Sequence, residues 1–152
     1  MLLRGQIQRQ GPGCPFSNES IEFELDSGEC LWLQGRSGAG KSSLVLHLLD
    51  LRPLPDARVE VEWEGLASGA SGFGMVFQMG VLIDSLNVGE NIGLALRAAG
   101  QPVSQLVIDQ ALEEAGLSAS DANKMPGEMS GGMLRRASIA QVLAQGRPVI
   151  VL

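Results

Sequence analysis

Lysine is scarce in this 152-residue chain: Lys41 and Lys124 are the only two, and 17 acidic residues against 11 Lys and Arg leave a net charge of −6. Proteins that grip nucleic-acid backbones do so with clusters of Lys and Arg, so the composition argues against a general nucleic-acid binder. Cysteine is scarce as well. Cys14 and Cys30 are too few and too far apart for a disulfide framework or a zinc site, which leaves two ordinary thiols in a reducing compartment. No apolar run approaches the roughly 18 residues of a membrane span, and the opening "MLLRGQIQRQ" lacks the long apolar core of a signal peptide. A cytoplasmic location is expected. His47 is the single histidine, and it falls in a helical stretch where packing or surface exposure is its ordinary role. No carboxylate pair and no Ser–His or Cys–His arrangement suggests hydrolytic chemistry, and no internal repeat is present.

With 45% hydrophobic residues the chain can bury a core of its own. Ile21, Phe23 and Leu25 alternate with acidic residues, the period-2 pattern of a strand with one wet face. "DSG" turns it into an expected second strand, "ECLWLQ". "KSSLVLHLLD" reads as a helix stopped by "RPLP", since proline cannot continue a helix and restricts the residue before it. Val59, Val61 and Trp63 predict a further strand of an antiparallel layer, and "FGMVFQ" a short buried one. Asn87 and Glu90 have capping-box spacing ahead of Ile92, Leu96 and Ala99. A second helix is expected from Ser104 to Ala115, closed by Gly116, and a third from Met133 to about Gln145. "RPVIVL" then returns to a core strand, expected to be fully buried.

"GRSGAGKSS", comprising Gly35, Arg36, Ser37, Gly38, Ala39, Gly40, Lys41, Ser42 and Ser43, fits G-x-x-x-x-G-K-[ST] between a predicted strand and a predicted helix. The glycines let backbone N–H groups wrap an anion where a Cβ would clash, and the helix start aims its positive dipole end at the same place. Lys41 then reaches the β- and γ-phosphates of a nucleotide and Ser42 ligates Mg²⁺. Gln78, where a buried strand ends, can offer its amide oxygen to Mg²⁺ and its NH₂ to a water beside the γ-phosphate. Ser130, Gly131, Gly132 and Met133 open a helix and form a second anion site. One nucleotide seldom needs two such helix starts, so the pair predicts a head-to-tail dimer.

In this order the motifs resemble the ATP-binding domain of an ABC transporter: "GRSGAGKSS" the Walker A loop, "MVFQ" the Q-loop, and "MSGGM" with the helix after it the signature. The resemblance covers about residues 20–152. It implies an α/β P-loop core with an N-terminal antiparallel β layer, about 1–79 and 146–152, and a helical signature subdomain, about 80–145. It also implies ATP and Mg²⁺ as cofactors, a second ATP-binding domain as partner in a homodimer, and an integral membrane permease that holds the protein at the inner face of the cell membrane. In the family, four apolar residues are followed by the Walker B aspartate and the catalytic glutamate. "VIVL" fits those four, so the domain is expected to be truncated at its C-terminus, with no catalytic residue within the chain. The family's adenine-stacking aromatic has no counterpart in "RQGPGC", and Phe16 is the nearest candidate. Met133 in place of the usual glutamine, with "VFQMGVLIDSLNVGENI", resembles the Mla-type lipid transport ATPases. Two alternatives stay open: a non-transport ABC ATPase, which the acidic balance opposes, and a non-hydrolysing nucleotide-binding fragment.

Overall fold

Period-2 alternation builds the first of two units, Met1–Gly72. The computed structural model describes residues 3–12, 14, 20–49, 51–54, 56–63, 73–77 and 82–152. Strand β1 (Leu3–Arg9) has β2 (Ser20–Leu25) on one side and β3 (Ala57–Trp63) on the other, both antiparallel to it. Gly5 lies opposite Phe23 and Val61, and Ile7 opposite Ile21 and Val59, so the apolar positions of the three strands share one face. Glu22, Glu24, Glu60 and Glu62 share the other with Arg4, which ion-pairs with Glu24. β1 is missing from the expectations above because Gly5 interrupts the alternation of Leu3 and Ile7. The structure supplies the reason: a Cβ on Gly5 would sit inside the Phe23 ring, so the aromatic of one strand fills the gap in its neighbour.

The expected strand "ECLWLQ" does not form. Residues 29–34 join no ladder among the described residues, and Leu31, Trp32 and Leu33 are exposed, Trp32 at 80%. Consecutive apolar residues suit a strand buried on both faces. The β2–β1–β3 sheet has one apolar and one charged face and offers such a run no place. Helix α1 (Lys41–Leu48) forms as expected, burying Leu44, and ends ahead of "RPLP".

In the second unit, Phe73–Leu152, β4 (Phe73–Met75) and β5 (Val149–Val151) pair in parallel, with Phe73 opposite Val149. The Val76 N–H extends the ladder to the Val151 carbonyl at 2.8 Å. β5 is buried on one side only: Val149 is buried, and Ile150 is 37% exposed. Three helices fill the crossover. In α2 (Val88–Ala98) the capping box is complete, Asn87 and Glu90 exchanging two bonds of 2.8 Å. α3 (Gln105–Glu114) is capped by Ser104 and followed by Gly116 at φ 74°, which only a residue without Cβ adopts freely. Two short 3₁₀ turns, Ala119–Asn123 and Pro126–Glu128, follow.

Helix α4 runs from Gly131 to Leu143, starting two residues earlier than expected, because Ser130 caps it by accepting the Met133 N–H. Val88, Ile92 and Leu96 of α2, Ile108 and Leu112 of α3, and Ala137 and Ala140 of α4 form the core. The two alanines allow α4 to pack closely. So does Gly74 of β4, whose missing Cβ would fall on the Val142 side chain.

Candidate functional site

Residues 35–43 form a glycine-rich turn that leads into α1. Gly38 and Gly40 take φ of 82° and 84°, and the Ala39 N–H closes a turn on the Arg36 carbonyl at 3.2 Å. A Cβ on Gly38 would meet nothing within 4 Å among the described residues, so within the loop itself this glycine is required by its backbone conformation. Gly40 is the N-cap of α1 and supplies no side chain, and the first helical bond is Leu44 N–H to the Gly40 carbonyl at 2.8 Å. The N–H groups of the first turn therefore have no side-chain acceptor, and the helix dipole adds to their positive potential. Lys41 arches over the loop, Nζ donating to the Gly35 and Arg36 carbonyls at 2.8 Å each. Such an arrangement can hold a phosphate through backbone amides and an ammonium. Ser42 is exposed at the same helix start.

His47, on the same helix, has a different task. Its Nδ1 accepts the N–H of buried Leu54 at 2.9 Å and so ties the end of α1 to the "RPLP" segment.

Gln78 lies outside the described residues. Phe77, just before it, presents its carbonyl to Arg135 Nη1 of α4 at 3.3 Å. Ser130, Gly131 and Gly132 are exposed at the start of α4, and Met133, half-buried, occupies its third helical position. Among the described residues neither glycine has an internal reason to be one: both lack a positive φ, a Cβ on Gly131 would meet nothing within 4 Å, and one on Gly132 would approach only Arg136 Nη1, at 3.8 Å.

Two features near this helix were not singled out from the sequence. Asn91 is fully buried in α2, and its side chain makes four hydrogen bonds to the backbone of residues 83–87. The signal was an amide on an otherwise apolar helical face, "ENIGLAL". Asp121 accepts from Lys124 Nζ at 2.6 Å and from the Ser118 N–H at 2.9 Å, and these bonds, the lysine's above all, lower its pKa from 3.8 to about 2. Lys124 in turn offers its carbonyl to the Val88 N–H at 3.0 Å, fixing the start of α2.

Comparison with known proteins places these features in a family. The family described as "ABC transporter" matches residues 18–152. The chain is 33% identical over 141 residues to the methionine import ATP-binding protein MetN of Caulobacter vibrioides, covering 86% of this chain and 42% of that protein. It is 35% identical over 138 residues to the nitrate import ATP-binding protein NrtC of a Synechocystis species, covering 88% and 20%. The chain thus spans less than half the length of these relatives.

In fold it resembles a solved ATP-binding subunit of an ABC transporter, with a TM-score of 0.72 at 22% identity over 99% of this chain and 65% of that one. It also resembles a bacterial Atm1-family ABC exporter solved with ATP bound, with a TM-score of 0.74 at 20% identity over 98% and 28%. The chain belongs to the ABC transporter family. Its fold is that of the family's ATP-binding domains, α/β with an antiparallel β layer and a helical region. No helix among the described residues is long and apolar enough to cross a membrane.

Proposed function

We propose that this chain is the ATP-binding, energy-coupling part of an ABC transporter, in which ATP hydrolysis drives a substrate across a membrane. The observation that carries the reading is the cradle at 35–43, with its two left-handed glycines, uncapped helix start and arching lysine. In this reading residues 35–43 wrap the ATP phosphates with backbone N–H groups, and Lys41 exchanges its loop carbonyls for phosphate oxygens. Ser42 and Gln78 hold Mg²⁺, which when bound neutralises charge on the phosphates. A hydroxyl and an amide oxygen are hard donors of the kind Mg²⁺ accepts beside phosphate and water.

Ser130, Gly131, Gly132 and Met133 receive the nucleotide of a second copy. The two glycines in the first turn of α4 support this, since among the described residues the fold gives no reason for them and they suit close approach by a phosphate. A homodimer and a permease at the inner membrane face complete the assembly. The β-rich parts, about 1–79 and 146–152, carry the nucleotide, and the helical part, about 80–145, couples it to the partners. No catalytic residue is assigned within these 152 residues.

For the cargo, the relatives, ATP-binding proteins of methionine and nitrate import, support a small solute. Met133 and the "VFQMGVLIDSLNVGENI" stretch support the Mla-type lipid reading instead. Calorimetric titration with Mg-ATP tests the central reading. Saturable binding that Lys41→Ala removes is the expected result, and equal affinity in the two proteins would overturn it.

A further inference from the structure

We propose that His47 is an acid-sensitive clasp at the end of α1, in which one ring nitrogen exchanges one backbone partner for another when it takes a proton from solvent. Two backbone groups lie within reach of His47 Nδ1, and they are of opposite kind: the Leu54 N–H, which donates to it at 2.9 Å, and the Arg52 carbonyl, 3.3 Å away. Nδ1 accepts from Leu54 only while it carries no proton, so the neutral ring holds its hydrogen on Nε2. A proton on Nδ1 turns the acceptor into a donor. The bond to Leu54 is then lost, and the Arg52 carbonyl is the acceptor in reach.

The surrounding backbone keeps the exchange local. The Leu51 and Arg52 N–H groups both donate to the Leu46 carbonyl, at 2.9 and 3.2 Å, so the turn after α1 stays attached whatever the ring does. Leu54 is buried and its N–H has the ring as acceptor, so protonation leaves a buried donor unpaired. The clasp is whole while the ring is neutral and is lost as pH falls through the ring's titration. Charged side chains on the neighbouring elements have other positions. On α1 itself, Lys41 donates to the Gly35 and Arg36 carbonyls. On β3, which packs on α1, Arg58 pairs with Glu60, and Glu62 lies with them on the charged face of the sheet. Asp56, ahead of β3, lies against Gly11, and Arg52 is exposed. The clasp involves no nucleotide and stands apart from the ATP-binding reading.

His47 is the single histidine, so its ring can be followed without ambiguity. The test is NMR of the protein from about pH 8 to about pH 5, where histidine changes charge, recording the ring nitrogens beside the hydrogen-exchange protection factor of the Leu54 amide. Wild type should show the Nε2–H tautomer at the upper end and lose about 5- to 150-fold of Leu54 protection as the ring is protonated. His47→Gln, whose amide oxygen accepts without titrating, should hold Leu54 protection level across the range. A ring with its hydrogen on Nδ1 at the upper end, Leu54 protection that does not fall at the lower end, or an equal fall in His47→Gln overturns the proposal. Should His47→Gln fail to fold, wild-type Leu49 serves as the control, since it is buried and its N–H donates to the Val45 carbonyl at 3.0 Å without the ring. A fall confined to Leu54 supports the clasp, and an equal fall at both amides overturns it.

Discussion

Replacing Gly131 by alanine separates a glycine kept for the fold from one kept for a partner. Gly131 is the first residue of α4, it is exposed, and an added Cβ meets no atom within 4 Å. Its φ is not positive, so alanine is accepted without strain. What remains is the smaller entropy of the unfolded chain and the better helix propensity of alanine, together worth about 0.4–1 kcal/mol of added stability. For a chain of this size that is a rise of roughly 1–4 °C in melting temperature. Gly74→Ala should move the opposite way. Its Cβ would fall on Val142, with the Arg147 Cβ and Cγ 3.6 Å away, and overpacking of this kind costs about 1–3 kcal/mol. Urea and thermal unfolding of the two variants beside wild type give both signs in one experiment. The methyl at Gly131 should meanwhile weaken ATP-dependent dimerisation, measured by light scattering, by about tenfold, or 1.4 kcal/mol. If Gly131→Ala melts lower than wild type, the glycine serves the fold and the structural argument is wrong. If it melts higher and dimerises normally, the signature assignment is wrong.

Lys41→Ala should reduce Mg-ATP affinity by about 10- to 150-fold, the equivalent of about 1.5–3 kcal/mol for a charged hydrogen-bond donor, and unchanged affinity by calorimetry would remove the residue from the site. His47→Ala should cost about 1–3 kcal/mol of stability by orphaning the buried Leu54 N–H, with ATP affinity unchanged; a loss of affinity at unchanged stability would contradict the structural role given to it. Asp121 sets part of the acid limit. Its folded pKa, about 2, lies below its ordinary 3.8, so the unfolded chain binds the extra proton. The contribution is fully present above pH 3.8 and is lost progressively as pH falls toward 2. Asp121→Asn should be less stable at neutral pH and should lack that part of the acid transition in a circular-dichroism titration; an acid limb identical to wild type would refute the assignment.

The parts of the structure that could be read from the sequence are those whose cause is local. The capping box at Asn87 and Glu90 and the Gly116 stop each depend on a few neighbouring residues, and each forms as the spacing predicts. What escaped depends on residues far apart in the chain. Gly5 makes sense only with Phe23 across the ladder, and Asn91 only with the backbone it holds at residues 83–87 and with Gln141 on α4. The start of α4 shows how a local rule can be read one step short. "SGG" looks like loop because glycine disfavours helix interiors, yet Ser130 places both glycines in the first turn, where they cost the helix its propensity without helping the unit pack. "ECLWLQ" fails for the opposite reason. Its composition specifies burial on two faces but not the neighbours that would bury it, and hydrogen-bond partners are a property of the sheet, not of the segment. The two cases meet in one physical point: a residue whose identity the surrounding fold leaves unexplained, whether a glycine with open space around it or a tryptophan in solvent, has its reason in something the unit does not itself contain.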